Sequence, residues 1–416
     1  MSVDDSKSEN SNLASLPRRF YIYIKVACPR RSLESTKLYK YLIANNLQSV
    51  ENPKKADLIF IYTCGGFALD ESFSIKTIEK SIRKFKNSQI IVTGCLTKIN
   101  PDKLKAFKDI LVLSPEDLWK LDSIINAKIP FAQIPNASVV DGVHDLYHGS
   151  YFNRIKRNIK SSENIISICN YYVDKKLSHK PSDGLDNPSI YRVEIAKGCL
   201  GKCSYCAIKL AMPKFHSFSV DEIIENFKRG LAAGYKEFAL LAGDIGCYGL
   251  DIGTNLPQLL NELFTVDGNY KIILVDLNAR WFVKYSQDLI SVLKPNYYKV
   301  QSIILPIQSG SNRILELMRR EYRIEDVKRC IIDLQKDIPG MLIETHIMVG
   351  FPGESDEDFQ ESIRLIKEMA FWKIEVYRYQ DRPRTMAASL PDKVPKQVIE
   401  KRVKIIKKEI KLTSLN

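Results

Sequence analysis

The chain has 416 residues, of which 45% are hydrophobic and 27% are charged, and its formal net charge is +13. This is an ordinary globular composition, long enough for two or three domains. No apolar run is long enough to span a membrane, and the polar N-terminus lacks the apolar core of a secretory signal. We therefore expect a cytoplasmic protein with no membrane partner. Its charge favours acidic partners such as nucleic acid or an acidic peptide, although a solvated lysine-rich surface explains it equally well.

The N-terminal part of the chain alternates strands and helices. Residues 1–17 predict a disordered tail, and residues 18–132 predict a domain with strands at 19–27, 56–63 and 89–94. Amphipathic helices are predicted between them, at 32–46 and 71–85. Short apolar strands separated by longer helices indicate a parallel α/β sheet.

Three cysteines follow the three predicted strands. Cys28, Cys64 and Cys95 each lie just past the carboxyl end of a strand, the edge at which open α/β sheets bind ligands. Nine cysteines in a chain with no secretion signal are more often metal ligands or catalysts than disulfides. Three unrelated buried cysteines are the alternative, and their shared placement makes it the weaker one.

The remainder of the chain predicts a linker, a second α/β domain and a helix. Residues 133–188 lack periodicity, as a linker does. Residues 189–390 repeat the strand–helix pattern, which predicts a partial or full (β/α) barrel with its active site at the carboxyl ends of the strands. Residues 391–416 predict one basic amphipathic helix with Ile399, Val403, Ile406 and Ile410 on one face.

The strongest local motif is Cys199-Leu-Gly-Lys-Cys203-Ser-Tyr-Cys206, between a predicted strand and a helix-prone segment. This spacing lets one loop direct three thiolates at a common centre, and thiolates are the usual ligands of iron–sulfur clusters. Three ligands would leave one iron of a four-iron cluster open. A structural zinc site is less favoured because it needs four ligands, and the nearest further candidate is His216.

This loop, with an aromatic residue before its last cysteine, resembles the radical S-adenosylmethionine superfamily. Other segments resemble one family within it, the methylthiotransferases, over about residues 20–410. The segments that carry this resemblance are ACPRRSLES, ADLIFIYTCGGFALDES, IVTGCL, LLAGDIGCYGLD, LPIQSGSNRILELMRREYRIEDV, HIMVGFPGESDEDF and RPRTMAASLPDKVPKQVIEKR.

The resemblance implies two [4Fe–4S] clusters, S-adenosylmethionine and an electron donor of the flavodoxin or ferredoxin type. Cys199, Cys203 and Cys206 would hold the radical-generating cluster, and Cys28, Cys64 and Cys95 an auxiliary cluster. Arg320 is implied as a partner for a substrate carboxylate. The implied cofactor-binding residues are Tyr205, Asp244, Ser309, Gly310, Ser311, Gly350, Gly353 and Glu354. Cys169, Cys247 and Cys330 match no motif.

The implied activity is insertion of a methylthio group at an unactivated carbon. The segment AIKLAMPKF after Cys206 and the residue Gly243 depart from the family pattern, and only 26 residues follow Leu390, too few for the family's C-terminal RNA-binding TRAM domain.

Cys28-Pro and TCGGF resemble the branch that modifies a ribosomal protein. We therefore expect a peptide or protein side chain as substrate, with tRNA second. Sulfur insertion without methylation, another radical peptide modification and a non-catalytic cluster protein are the other hypotheses.

Overall fold

The computed structural model describes residues 18–24, 28–140 and 189–413. The predicted tail at 1–17, residues 141–188 of the predicted linker and Cys169 lie outside these ranges. Within them, the chain forms two parallel sheets flanked by helices, which is the fold class that the sequence predicts. None of the helices in these ranges is long and apolar enough to cross a membrane.

The N-terminal domain has a five-stranded parallel sheet, with strand order β2-β1-β3-β4-β5. The central strand β3 is buried at every position because hydrophobic clusters cover both faces of the sheet. This explains its unbroken apolar sequence. The elements are β1 (Arg19–Ile24), α1 (Pro29–Ala44), β2 (Gln48–Ser49), β3 (Leu58–Thr63), α2 (Ala68–Lys84), β4 (Gln89–Gly94), α3 (Leu96–Ile99), β5 (Ile110–Val112) and α4 (Leu121–Ile125).

The barrel domain contains a six-stranded sheet whose parallel strands pair in chain order, β6-β9-β10-β11-β12-β13, interrupted in the chain by the antiparallel pair β7-β8. It is an open sheet, so the described part of the barrel is partial. The strands are β6 (Ile190–Glu194), β7 (Ala196–Lys197), β8 (His216–Ser217), β9 (Glu237–Leu241), β10 (Lys271–Leu274), β11 (Val300–Ile304), β12 (Ile343–Val349) and β13 (Lys373–Arg378).

Helices cover the outer face of this sheet. Two of them begin with a capping box, in which a serine and an acidic residue three positions later satisfy each other's backbone N–H groups. The helices are α5 (Val220–Ala232), α6 (Leu256–Phe264), α7 (Ala279–Lys284), α8 (Ser286–Leu293), α9 (Asn312–Leu317), α10 (Ile324–Asp337), α11 (Asp356–Glu368) and α12 (Lys396–Thr413).

The inner face of the barrel sheet is partly covered by the N-terminal domain. Residues such as Ile190, Ala239 and Ile273 form an apolar patch there, and Leu33 from α1 packs into it. Alternate residues of the same strands face the helices and form the main core. The start of α1 therefore packs on the inner face of the barrel sheet.

The C-terminal helix α12 is an integral part of the barrel domain. Ile399, Val403 and Ile406 are buried in the main core, and Ile410 packs against it. Arg402 on the same helix is also buried, and it forms ion pairs with Glu354 and Asp356. The helix thus contributes both apolar burial and a buried charge pair.

Candidate active site

Cys28, Cys64 and Cys95, which we call the strand-end triad, meet at one edge of the N-terminal sheet. Cys28 precedes α1, Cys64 follows β3 and Cys95 follows β4. Burial raises the pKa of both Cys28 and Cys64, the latter to about 12, and proximity to Cys95 raises both further. The three thiols therefore lie within close electrostatic reach of one another.

Two donors point at sulfur atoms of the strand-end triad. The backbone N–H of Gly66 donates to Cys64 Sγ at 3.4 Å, and Arg31 Nε donates to Cys95 Sγ at 3.1 Å. Arg31 is buried and also pairs with Glu34. Donors of this kind stabilise sulfur in its thiolate form.

Cys199, Cys203 and Cys206, which we call the loop triad, lie in one loop of the barrel domain. The antiparallel pair β7-β8 joins the two ends of the segment that contains this loop. Gly198 turns the chain with a φ of 76°, and a Cβ there would lie 2.7 Å from a backbone oxygen, so only glycine fits. Burial raises the pKa of Cys199 to about 11.

The loop triad is anchored from two sides. The Ser204 hydroxyl donates to the Leu317 carbonyl at 2.8 Å, and the Ser204 N–H donates to the Met318 carbonyl at 3.1 Å. The Ala387 N–H donates to the Ser204 carbonyl at 2.9 Å. The loop is therefore held by the end of α9 and by a segment close to the C-terminal helix.

The loop triad also has a glycine N–H and an arginine as sulfur donors. The Gly201 N–H donates to Cys199 Sγ at 3.2 Å, and Arg320 Nη1 donates to Cys203 Sγ at 3.4 Å. Arg320 is buried, and its other contacts are the Pro306 carbonyl and the Tyr322 hydroxyl. The structure thus places this predicted substrate residue directly against a triad sulfur.

The donor sets suit iron–sulfur clusters. Each triad offers three thiols, the usual cluster ligands, and hydrogen bonds to sulfur are a normal feature of such sites. A Cβ at Gly201 would lie 3.2 Å from Cys199 Sγ and 3.7 Å from Cys203 Sγ, so glycine keeps the space between these sulfurs open. Within the described ranges, no three His, Cys, Asp or Glu side chains are arranged to hold a single metal ion.

The two triads are neighbours across the domain boundary. Cys95 and Ile99 pack against Ala207, which directly follows Cys206 in the chain, and against Ala211 in the same segment. Arg31, which contacts Cys95 Sγ, also donates to the Ala211 carbonyl at 3.1 Å. One guanidinium therefore joins a cysteine of the strand-end triad to the segment that follows the loop triad.

Other arginines join the domains at the same boundary. Arg30 donates to the Ala242 carbonyl at 2.5 Å. From the barrel side, Arg382 donates to the Gly65 carbonyl at 2.7 Å and pairs with Glu71. These partners are adjacent to the predicted site residues, so the domain contact and the triads form one structural unit.

The segment Ser309-Gly310-Ser311 is buried against α11. A Cβ at Gly310 would lie 2.4 Å from the Glu361 carbonyl oxygen, and the Gly310 N–H donates to Ser362. The Ser311 hydroxyl donates to Asp358 at 2.6 Å and caps α9. These contacts pack the segment against α11. Its cofactor role stays a prediction.

Gly350, Gly353 and Glu354 also have contacts within the protein. A Cβ at Gly350 would lie 2.3 Å from the side chain of Ile399, and the Gly350 N–H donates to Glu354 at 2.8 Å. Gly353 adopts a φ of 80°, and Glu354 pairs with Arg402. The motif therefore docks the C-terminal helix, and its cofactor role stays a prediction.

Asp244 and Tyr205 lie close to the loop triad. The Asp244 carboxylate accepts hydrogen bonds from the N–H groups of Gly246 and Asn278 and from Trp281 Nε1, at 3.0, 3.2 and 3.1 Å. Burial raises the pKa of Asp244 to about 6. Tyr205 packs edge-on against Phe351, with ring centroids 6.4 Å apart. Their cofactor roles also stay predictions.

Two residues without a motif, Cys247 and Cys330, are buried in the main core. Cys330 lies in α10, as its helical pattern predicts. The Cys247 thiol donates to the Asp244 carbonyl oxygen at 3.0 Å. Both have ordinary structural surroundings.

Gln308 is a candidate that the sequence did not reveal. It is buried in the segment after β11, where it forms an isolated parallel bridge with Ile347, yet its φ of 78° lies in the left-handed region. Its backbone is held by the His346 carbonyl at 2.7 Å and the Met348 N–H at 2.8 Å, whereas its side-chain Oε1 is buried with no partner in the described residues. Strained backbone and an unsatisfied buried oxygen are typical of ligand-binding positions.

Comparisons with known proteins decide the family. Residues 193–366 match the model described as the radical SAM superfamily, and residues 21–113 match the uncharacterized protein family UPF0004. A probable threonylcarbamoyladenosine tRNA methylthiotransferase of Pyrococcus horikoshii is 31% identical over 395 residues, covering 92% of this chain and 82% of the relative. The chain belongs to the radical SAM methylthiotransferases.

Further relatives differ in the substrate that their names give. The threonylcarbamoyladenosine tRNA methylthiotransferase MtaB of Thermotoga maritima is 28% identical and covers 82% of this chain and 70% of the relative. The ribosomal protein uS12 methylthiotransferase RimO of Protochlamydia amoebophila is 26% identical, with coverages of 94% and 77%. This methylthiotransferase is therefore an enzyme that transfers a methylthio group, and its family uses S-adenosylmethionine and [4Fe–4S] clusters.

Solved structures support the fold. The radical S-adenosylmethionine methyltransferase TsrM of Kitasatospora setae aligns with a TM-score of 0.59 at 11% identity, covering 90% of this chain and 77% of that one. The cobalamin-dependent S-adenosylmethionine radical enzyme OxsB aligns with a TM-score of 0.53 at 12% identity, with coverages of 95% and 56%. At such identities, these likenesses concern the fold alone.

Proposed function

We propose that this methylthiotransferase modifies a threonylcarbamoyladenosine in tRNA, with one [4Fe–4S] cluster held by each triad. The observation that carries the substrate choice is the 31% identity to the Pyrococcus horikoshii relative over 92% of this chain. The relatives therefore favour tRNA over the protein side chain that the sequence motifs favoured. A tRNA substrate is in keeping with the cytoplasmic location that the composition predicts.

The net charge of +13 suits this substrate. A tRNA presents a dense array of phosphates, and lysine and arginine contacts to phosphate release counterions and stabilise binding. Binding of tRNA through such contacts should weaken steeply as salt is added. Binding of a peptide through apolar contacts should depend less on salt, so the salt dependence distinguishes the two substrates.

The chain's own residues hold and align the reacting groups. When bound, the clusters and S-adenosylmethionine supply the radical, the methyl group and the transferred sulfur. Arg31 and Arg320 each donate to one triad sulfur, which stabilises negative charge on that sulfur. The packing of Cys95 against Ala207 supports this proposal, because a substrate carbon bound at the domain boundary would be close to both triads.

Product analysis tests the substrate. Anaerobically reconstituted protein is incubated with S-adenosylmethionine, dithionite, sulfide and tRNA that carries threonylcarbamoyladenosine, and the tRNA is digested to nucleosides for mass spectrometry. We expect a nucleoside that has gained a methylthio group. The same tRNA transcript without the threonylcarbamoyl modification is the matched control, and it should give no such product.

Ribosomal protein uS12 is the second substrate to test, because the RimO relative is 26% identical over 94% of this chain. A methylthio product on uS12 and none on tRNA would overturn the proposed substrate. A product that contains the extra sulfur without the methyl group would instead support sulfur insertion without methylation.

A further inference from the structure

A groove of about 1010 Å³ opens beside the loop triad in the barrel domain. One wall is Lys202, which lies between Cys199 and Cys203 in the loop. The opposite wall is formed by residues 312–326, comprising α9, the turn after it and the start of α10. The groove is therefore adjacent to the proposed radical cluster, and all of its lining residues belong to the barrel domain.

One hydrogen bond joins the floor of the groove to a cysteine sulfur of the loop triad. Arg320 lines the groove, and its Nη1 donates to Cys203 Sγ at 3.4 Å. Tyr322 lines it as well and fixes the floor through a hydrogen bond to the Ile307 carbonyl at 2.5 Å. Because electron tunnelling falls steeply with distance, a redox centre docked here would have a short route to the cluster.

The rim of the groove carries exposed positive charge. Lys202 and Arg319 are exposed, and neither has a carboxylate partner among the described residues. Most other charges in the walls are neutralised, because Arg313 pairs with Asp358, Glu321 pairs with Arg280 and Asp326 pairs with Arg329. Glu316 is the remaining exposed carboxylate of the lining, and it leaves the balance positive.

We propose that this groove docks an acidic protein that donates single electrons, and that the electron enters beside Arg320 and Cys203. The proposal rests on the proposed function, since cofactor cleavage is reductive. The donor loses one electron per event, the bond between sulfur and the 5′ carbon of S-adenosylmethionine breaks, methionine leaves, and the 5′ carbon takes a hydrogen atom from the substrate. Complementary charge would steer such a donor to the groove.

Binding of an RNA would not require a groove next to the cluster. Phosphate contacts depend on positive charge anywhere along the substrate path, whereas electron transfer depends on closeness to the cluster. Exposed lysines on α12, such as Lys401 and Lys404, provide positive charge elsewhere on the barrel domain. The nearness of the groove to Cys203 therefore favours an electron donor.

Charge reversal tests the docking surface. The variants are Lys202→Glu alone and the double variant Lys202→Glu/Arg319→Glu, and the matched control is Lys401→Glu/Lys404→Glu on α12. Two quantities are measured. The first is the dissociation constant of flavodoxin from each variant, by isothermal titration calorimetry, which should rise in the double variant and stay unchanged in the control. The second is the rate of 5′-deoxyadenosine formation with reduced flavodoxin, divided by the rate of the same variant with dithionite. Dithionite is a small reductant that needs no docking surface, so the ratio removes any effect on the cluster itself.

We expect this ratio to fall on the order of tenfold in the double variant at low salt, less in the single variant, and not at all in the control. An unchanged ratio in the double variant would overturn the docking proposal while leaving the proposed function intact. The docking proposal would also be overturned if the double variant lost tRNA binding in a gel-shift assay but kept the wild-type ratio of the flavodoxin-driven rate to the dithionite-driven rate. A wild-type protein that forms no 5′-deoxyadenosine with dithionite would overturn the proposed function, and the docking proposal with it.

Discussion

The strand-end triad and the loop triad have the same kinds of hydrogen-bond donor to sulfur, but their cysteines are arranged differently along the chain. In each, a glycine two residues after a cysteine donates its N–H to that cysteine's sulfur, as Gly66 does to Cys64 and Gly201 to Cys199. In each, an arginine donates to another sulfur. The loop triad, however, occupies one short segment, whereas the strand-end triad is assembled from the ends of three chain segments.

The two arginines differ in a further way. Among the described residues, the side-chain hydrogen bonds of Arg320 stay within its own domain, at the Pro306 carbonyl, Tyr322 and Cys203. Arg31 reaches across the boundary to the Ala211 carbonyl. The comparison teaches that the loop triad is positioned by local folding, whereas the position of the strand-end triad relative to it depends on how the two domains dock.

The largest expected effect comes from removing the thiols of one triad. Protein with Cys199, Cys203 and Cys206 changed to alanine should hold about four irons instead of about eight and form no 5′-deoxyadenosine. Protein with Cys28, Cys64 and Cys95 changed to alanine should also hold about four irons, yet keep forming 5′-deoxyadenosine without any methylthio product. Iron analysis and chromatography of both products check this, and full iron content in either variant would contradict the cluster assignment.

Changing the two arginines should separate their roles. We expect Arg31→Gln to lower the methylthio product formed per 5′-deoxyadenosine by about tenfold, the low end of the effect of residues that orient ligands. Arg320→Gln should lower both products together, because it acts on the cluster at which the cofactor is cleaved. Electron paramagnetic resonance of each reduced protein shows which cluster signal has changed.

The conservative variants Arg31→Lys and Arg320→Lys are the matched controls. They keep the positive charge but lose the planar fork that reaches two partners at once. If Arg31→Lys restored the product ratio fully, charge alone would explain the effect of Arg31, and its link to Ala211 would have no role.

Substitution of Gln308 should separate backbone strain from ligand contact. Gln308→Gly and Gln308→Ala both remove the side chain, but only glycine adopts a φ of 78° without strain. We expect the free energy of unfolding of the glycine variant to exceed that of the alanine variant by about 1 kcal/mol. Both should weaken S-adenosylmethionine binding several-fold, as titration would show, and wild-type affinity in both would rule out a cofactor contact.

The smallest effect concerns the stability of the barrel domain and its pH dependence. Burial would raise the pKa of Asp358, but hydrogen bonds from Arg313, Ser311 and Ser355 outweigh it and lower this pKa to about 2. The carboxylate therefore stabilises the fold above its ordinary pKa of about 4, and this contribution disappears as the pH falls towards 2.

We expect Asp358→Asn to lower the free energy of unfolding by roughly 2 kcal/mol at neutral pH, and by less as the pH falls below about 4. Glu357→Gln on the same helix is the matched control because Glu357 is exposed. Denaturant unfolding at several pH values measures both variants. Equal losses in the two would show that the contacts of Asp358 contribute nothing specific.

The sequence predicted the two parallel sheets and the position of each triad cysteine at a strand or loop end, because hydrophobic periodicity and local spacing carry that information. It did not reveal β13, whose sequence Lys-Ile-Glu-Val-Tyr-Arg alternates charged and apolar residues at a sheet edge. It also could not reveal the arginine–sulfur contacts, since Arg31 and Cys95 are 64 positions apart and Arg320 and Cys203 are 117 apart. The left-handed backbone of Gln308 had no signal in the chain either.

The substrate was the other point on which sequence motifs were insufficient. Cys28-Pro and TCGGF favoured a ribosomal protein, whereas the relatives favour tRNA. Both motifs contain a cysteine of the strand-end triad. In TCGGF, the Gly66 N–H donates to Cys64 Sγ, and the Gly65 carbonyl accepts from Arg382 across the domain boundary. Residues that build the cluster site need not report which substrate approaches it.

The buried pairing of Arg402 with Glu354 has a practical consequence for anyone who shortens the chain. Deleting α12 would leave the Glu354 carboxylate buried without its cation and would open a space above Gly350 where Ile399 now packs. A fragment that stops near residue 390 should therefore be insoluble or prone to proteolysis when expressed. Expression of the barrel domain therefore requires the chain through residue 413, where α12 ends.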